Sequence, residues 1–350
     1  MKKIIIISSF LLFASLSLQA QKNSKSKSPK DQQFGFMFYN TENLFDTIDT
    51  PNKKDEEYTP KGRNLWTSDK YNKKVSNIAK VISSISPSNF PSIIGLTEIE
   101  NKAVLEDLLN TNSMKKVKYQ IVHEESPDER GIDCALLYRP EEFKYISHKA
   151  INVTFSFDSA ARKTRDILYV KGVTNSNDTL NIFVNHWSSR GGGKEKSEPK
   201  RIFTAEIMRH YVDSLFDKNI NANIILMGDF NDDPTDKSTE ITLKTAANVD
   251  VSDNKKLVNL LYNKFKAGEG TLPYKGSWNL FDQIFVSPNL ITKKTGYKIN
   301  PSDISIFKPE WLTKKDEKGN LITIRTYDKN SPNEVGFSDH LPVYIYLNKK

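Results

Sequence analysis

The chain has 350 residues, of which 37% are hydrophobic, 11% aromatic and 27% charged, with a formal net charge of +8. That composition can bury a core, and it excludes a disordered chain, a collagen, a coiled coil and a multispan membrane protein. The single cysteine, Cys134, excludes an internal disulfide framework and a cysteine-rich zinc site.

The N-terminus reads as a signal peptide over residues 1–20. Lys2 and Lys3 form the charged start, Ile4 to Leu18 is apolar, and Ala20 is a small residue suited to cleavage before Gln21. The apolar stretch falls short of the roughly twenty residues a membrane span needs. The expectation is therefore a secreted or periplasmic protein with no stable membrane anchor after cleavage. No cysteine follows the site, which argues against a lipoprotein. Residues 21–33 are Ser/Lys-rich, with four lysines and Asp31, and read as a disordered linker. Leader and linker together hold most of the excess charge, and about +3 remains for residues 34–350. Bulk charge is thus weak support for nucleic-acid binding.

Phe34 to Tyr39 predicts a strand ending in Asn40-Thr41-Glu42-Asn43. Ser68-Asp69 is expected to cap a helix whose inward face carries Val75, Ile78, Ala79, Ile82 and Ile85 at helical spacing. Ser92 to Leu96 is a short buried strand that delivers Thr97-Glu98. A second helix turns Val104, Leu105, Leu108 and Leu109 inward, and Cys134 to Tyr138 is another strand. Ile167–Val173 and Leu180–Val184 pair as a hairpin across Asn175-Ser176-Asn177-Asp178. Pro199 is expected to open a helix. Asn223 to Met227 is a strand ending in Gly228-Asp229-Phe230-Asn231, and Phe281–Val286 and Val343–Leu347 are late strands. Helices and strands interleave without a repeat or an internal linker, which predicts one α/β (α+β) domain.

Several short strands end in polar residues with no local structural duty: Asn40 and Glu42, Glu98, His186, Asp229 and Asn231, Asp282, and Asp339-His340. Strand ends converge in sheet proteins, so these predict one cleft. Carboxylates with amide oxygens and imidazoles make a hard, oxygen-rich site with an acid/base pair beside it. That set suits Mg²⁺, with Mn²⁺ as the alternative, and not structural zinc. His123, His148 and His210 carry no motif. Each piece taken singly also has a structural reading, as an Asx turn, a core histidine or the first solvated residue after a strand.

Taken in order, Asn40, Glu98, His186, Asp229-x-Asn231, Asp282 and Ser338-Asp339-His340 resemble the endonuclease/exonuclease/phosphatase superfamily, the deoxyribonuclease-I-like fold. GDFN and SDHLPV are the most specific motifs. YNTENLFD, LTEIEN, RGIDCALLY and NHWSSRGGG resemble its bacterial secreted branch. The resemblance runs from about Phe36 to Leu347. It implies a four-layer sandwich of two packed mixed β-sheets with flanking helices and the site at one end. It also implies roles. Glu98 would be the principal metal ligand, with Asn40 nearby and Asp339 as a further contact. Asp229 would orient or deprotonate the attacking water, Asn231 would hold the scissile phosphate, and His340 paired with Asp282 would be the catalytic histidine. His186 matches a histidine of the deoxyribonuclease and sphingomyelinase branches, and Arg165 a phosphate-contacting arginine.

These roles suit phosphodiester hydrolysis, which needs an activated water, neutralised phosphoryl charge and a stabilised leaving oxygen. Whether His340 acts as a base or as a phosphate-binding cation is left open. The basic, glycine-containing stretch Trp187 to Arg201 reads as a mobile phosphate clamp, with Arg190 binding substrate and Trp187 available for stacking. A hairpin around Lys318-Gly319-Asn320 is expected at the cleft rim. The expectation is an exported, metal-dependent nuclease with a nucleic-acid substrate and no obligate protein partner. The alternatives are a hydrolase of phospholipid head groups or sugar phosphates, and a non-catalytic binding module on the same fold.

Overall fold

The computed structural model describes residues 33–349 apart from positions 87, 159, 329, 330 and 332. The expected signal peptide lies outside the described residues, as does the expected linker except for Gln33, which already opens the first strand.

The first part of the chain forms β1 (Gln33–Leu44), α1 (Ser68–Ile85), β2 (Ile93–Ile99), α2 (Lys102–Asn110), β3 (Gln120–His123) and β4 (Asp133–Tyr138). The middle forms β5 (Phe143–Ile151), β6 (Ile167–Thr174), β7 (Thr179–His186), α3 (Lys194–Lys218) and β8 (Asn223–Asp229). Next come β9 (Thr245–Ala246), β10 (Leu257–Asn259), α4 (Tyr262–Lys266), β11 (Leu272–Tyr274), β12 (Ser277–Asn279) and β13 (Asp282–Val286). The chain finishes with α5 (Asn289–Thr292), β14 (Tyr297–Lys298), β15 (Ser305–Ile306), β16 (Thr313–Lys315), β17 (Leu321–Thr323) and β18 (Val343–Lys349).

Two seven-stranded sheets result. One runs β14-β18-β1-β2-β4-β3, with β15 also on β18; the other runs β5-β6-β7-β8-β13-β10-β9. The period of two along a strand decides which core each side chain joins. In β1, Phe34, Phe36 and Phe38 point into the core between the sheets, while Met37 and Tyr39 join the cluster under α1 and α2. In β8, Ile225 and Met227 face the inter-sheet core, while Ile224 and Leu226 pack under α3. Both faces are covered, which is why these strands read as unbroken apolar runs. Burying each such side chain contributes about 1.5–3 kcal/mol. The layers are therefore helix, sheet, sheet, helix, the sandwich that the motif pattern implied.

Local signals place the helices with small offsets. The cap of α1 is Thr67, one residue before the expected position, and its side chain accepts from the Lys70 amide. Val75, Ile78, Ala79 and Ile82 are buried as the spacing predicts. Asn101 caps α2 through the Val104 amide at 3.0 Å. The α3 helix begins at Lys194, directly after Gly193 at φ 116°, so Pro199 sits inside it rather than opening it. The β6–β7 hairpin and the β16–β17 hairpin about Gly319 both form.

Candidate active site

The site grows from strand ends. Register brings His186, Asp229 and Asp282 side by side, because β7 pairs with β8 at His186–Asp229 and β8 pairs with β13 at Asp282–Asp229. The other sheet supplies Asn40 and Glu98, where β1 and β2 break register between Asn40 and Leu44 and β2 and β4 between Thr97 and Ile99. An irregularity of this kind re-aims a side chain at a strand end. Glu42, Asn43, Glu98 and Asn231 all have left-handed backbones, at φ 48°, 59°, 60° and 51°. Such conformations are uncommon outside glycine and gather where a site fixes its geometry.

The two sheets meet through Asn40. Its amide nitrogen lies 3.4 Å from Glu98 Oε1 and donates to Asp229 Oδ2 at 3.0 Å. Its Oδ1 accepts from the Glu42 amide at 2.9 Å, which leaves the side chain no freedom to turn. Glu98 Oε2 accepts from the Asn43 amide at 2.9 Å. His186 Nε2 lies 3.7 Å from Glu98 Oε1 and 3.6 Å from Asp229 Oδ2, and its Nδ1 has no partner. Asp229 Oδ1 accepts from the Asn231 amide at 3.0 Å. Across the cleft, Asp282 Oδ2 meets His340 Nδ1 at 2.7 Å. His340 Nε2 is then turned toward Asp229 Oδ2 at 3.7 Å and Asp339 Oδ1 at 3.8 Å. Ser338 aligns this segment, accepting from the His340 amide at 3.0 Å and donating to the Asn40 carbonyl at 2.8 Å.

The electrostatics follow from crowding. Burial pushes Asp229 up to about 6, with Asp282 adding to the shift and His340 opposing it. Burial and then Glu42 push Asp339 up to about 7. Burial alone would lower His340, but Asp282, Asp229 and Asp339 outweigh it and hold the imidazole well above its usual value. Burial holds His186 well below its usual value, helped by Arg165, Arg130 and His340. Glu98, Asp229 and Asp339 offer hard carboxylate oxygens to one cleft, the donor chemistry a divalent cation fits.

Two residues outside the expected site set support it. Arg325 Nε donates to Glu42 Oε1 at 2.9 Å, and its terminal nitrogen reaches Asp339 Oδ2 at 3.0 Å. Lys74 is fully buried and donates to the Thr41 and Phe337 carbonyls and the Thr326 hydroxyl. Lys74 was hidden in sequence because one lysine on an amphipathic helix reads as solvated surface. His123 is another case. Its ring, Glu125 and Asp133 place ligand atoms within 4.8 Å of one another at the base of the β3–β4 loop.

The basic stretch after His186 differs from the expected clamp. Trp187 is buried with its ring 4.8 Å from that of Phe230, and its indole N–H donates to Asn185 Oδ1 at 3.1 Å, so no face is free for stacking. Arg190 is drawn into carboxylates, reaching Asp232, Asp233 and Asp236 at 3.2, 3.1 and 2.6 Å, and it lies over the Phe281 ring. Lys194 pairs with Asp236 at 2.5 Å, Lys200 with Asp158 at 3.1 Å and the buried Arg201 with Asp232 at 2.7 Å. The reason is charge neutralisation: the acidic run Asp232, Asp233 and Asp236 binds the basic segment down. Arg165 is also buried, donating to Asp128 Oδ2 at 3.2 Å and to the Trp187 carbonyl at 2.6 Å.

A two-sheet sandwich whose strand ends gather carboxylates, amides and a carboxylate-bound histidine defines a class of phosphoester hydrolases. The chain belongs to the Endonuclease/Exonuclease/phosphatase family, whose family model matches residues 35–349. Its members hydrolyse phosphoric ester bonds and typically depend on a divalent metal. No curated protein matches the sequence. Among solved structures, the fold is similar to an endonuclease/exonuclease/phosphatase family protein from Bacteroides thetaiotaomicron, at 16% identity and TM-score 0.55, covering 91% of this chain and 98% of that one. It is similar to a mannosyl-6-phosphatase from the same organism, at 18% identity and TM-score 0.54, covering 90% and 99%. It also resembles D. rerio TDP2 complexed with single-strand DNA product, at 14% identity and TM-score 0.52, covering 91% and 100%.

Proposed function

We propose that this protein is an exported, Mg²⁺-dependent phosphodiesterase that cleaves nucleic acid, DNA ahead of RNA, with Mn²⁺ able to replace Mg²⁺. The observation that carries the catalytic part is the convergence of Glu98 and Asp229 on the Asn40 amide, with His340 Nε2 turned toward the same Asp229 oxygen. Glu98 and Asp339 would hold the ion, which when bound supplies positive charge to the phosphoryl oxygens. Asn40, expected as a ligand, has its Oδ1 taken by the Glu42 amide and presents its N–H to Glu98 and Asp229, so it positions those carboxylates instead. Asp282 fixes His340 Nδ1, so Nε2 faces the substrate, and the surrounding carboxylates keep the ring cationic. We therefore read His340 as a donor to a phosphoryl oxygen. Asp229 is left as the group that takes a proton from the attacking water. Asn231 donates one amide proton to the Trp187 carbonyl at 3.1 Å, and its second remains for the phosphate.

Support for a nucleic-acid substrate is the basic cavity wall of Arg130, Arg162, Lys163 and Lys196, and the expected export. The test is a panel: purified protein lacking residues 1–20, with Mg²⁺ or Mn²⁺, against plasmid DNA, RNA, bis-nitrophenyl phosphate, sphingomyelin and mannose 6-phosphate, with and without chelator. Metal-dependent loss of plasmid and of bis-nitrophenyl phosphate is expected. Intact DNA and RNA beside a hydrolysed sphingomyelin or sugar phosphate would overturn the substrate reading. Activity in excess chelator would overturn the metal. Mass spectrometry of protein recovered from outside the cytoplasm should give an N-terminus at Gln21; an uncleaved Met1 would overturn export by this leader.

A further inference from the structure

A cavity of about 570 Å³ opens beside the catalytic cleft, between the loop preceding β4, the segment preceding β6 and the start of α3. Its walls carry seven basic side chains against three acidic ones, Asp128, Glu129 and Asp158. Arg130, Arg162, Lys163 and Lys196 are exposed in these walls. Arg162, Lys163 and Lys196 make no hydrogen bond or ion pair among the described residues. Arg130 has only a long contact of 3.6 Å to Asp128. Unpaired cations facing one another across a hollow repel, and they persist together where an anion is to be received. The back wall is Arg165, 7% exposed, whose terminal nitrogens are held by Asp128 and the Trp187 carbonyl. Hydroxyls of Thr164, Ser188 and Ser189 also line the cavity and can donate to phosphate oxygens.

The cavity is joined to the catalytic centre through one carbonyl. Trp187 O accepts from Arg165 at 2.6 Å on the cavity side and from Asn231 Nδ2 at 3.1 Å on the catalytic side. A group bound against Arg165 is thus separated from one bound at Asn231 by two hydrogen bonds of protein. We infer that this cavity is a subsite for a second phosphate group of the substrate, adjacent to the scissile one, with Arg162, Lys163, Lys196 and Arg130 as its specificity-determining residues. This inference rests on the phosphoester-hydrolase reading above. The volume has room for a nucleoside or sugar unit carrying that phosphate, well beyond a lone ion.

The shared chemistry, a phosphate one unit away from the cleaved ester, has two sources: the flanking phosphodiester of a nucleic-acid strand, or the second phosphate of a small sugar bisphosphate. The test compares the wild type with the triple variant Arg162→Ser/Lys163→Ser/Lys196→Ser. A charge-matched control, Lys73→Ser/Lys115→Ser/Lys118→Ser, changes exposed lysines outside the cavity. Thymidine dinucleotides with and without a terminal 5′- or 3′-phosphate form one arm. A hexose bisphosphate against the hexose 6-phosphate forms the other. The wild type should prefer the phosphate-bearing member of one pair in kcat/KM. The triple variant should lose at least tenfold of that preference, and the control should keep it. The arm that shows the preference names the source. For a long single strand, the slope of log rate constant against log salt should also flatten, by about 0.7 for each phosphate that the variant no longer neutralises. Unchanged preference in the triple variant overturns the subsite, as does equal loss by the control. If no substrate of either kind turns over, the hydrolase reading fails separately. The subsite is then judged by titrating inorganic phosphate into chelator-treated protein: at least tenfold weaker binding in the triple variant sustains it, and equal binding rejects it.

Discussion

Glu98 shows how a single residue is set for its task. Its backbone sits at φ 60°, held there by the irregularity between β2 and β4, and its carboxylate is clamped by the Asn43 amide and faced by the Asn40 amide. Glu98→Gln keeps size and removes charge. Turnover should fall on the order of 10²-fold or more, the loss typical of one electrostatic stabiliser. Steady-state rates over a Mg²⁺ titration check this, and an undiminished rate at low Mg²⁺ would remove Glu98 from the metal site. Asp282 and His340 act as a unit through their 2.7 Å contact. His340→Ala should nearly abolish turnover, and Asp282→Asn should lose part of it by favouring the wrong tautomer. The double variant should be no worse than His340→Ala alone. Additive losses in kcat/KM would show that Asp282 does not serve His340.

At the scale of the element, α3 is pinned to the loop after β8 by the ion pair of Arg201 with Asp232, both fully buried. Asp232 also takes the Ser238 hydroxyl at 2.6 Å, so the carboxylate is enclosed on every side. Arg201→Met keeps the packing of the stem but leaves Asp232 facing only Arg190 and Ser238. Removing one partner of a buried pair costs about 3–5 kcal/mol. Denaturant unfolding should show that loss with an unchanged slope. A change under about 1 kcal/mol would mean that Arg190 compensates. This network also explains the difference from the expected clamp. Asp232, Asp233 and Asp236 stand in the sequence directly after GDFN, so opposite charges were legible in both segments. Their pairing was not, because some thirty residues of helix and strand lie between them.

At the scale of the whole molecule, the site is a seam. Glu98 and Asn40 belong to one sheet; Asp229, His186 and Asp282 belong to the other. A divalent ion held by Glu98 and Asp339 beside Asp229 would sit at that seam and bind only the folded chain. Mg²⁺ at about 100 times its dissociation constant should stabilise the fold by about 2.7 kcal/mol. A thermal melt should show a higher midpoint with Mg²⁺ than with chelator, and Glu98→Gln should shrink that shift. Equal midpoints in the wild type would mean that the carboxylates do not share an ion.

By itself the sequence determined the long central elements and the motif set, and left the short strands of the second half unread. Apolar runs such as Phe34–Tyr39 and Asn223–Met227 specify strands buried on both faces, because no alternating polar face is present. The residues that end those runs were legible as site candidates, because a polar group just past a buried strand needs a partner or a task. Tertiary structure alone decided which cations are free. Arg190 and Arg201 are neutralised by carboxylates, whereas Arg162 and Lys163, in a cavity wall, make no ion pair among the described residues. A charge's availability depends on what faces it across the fold, and the one-dimensional chain carries no record of that distance.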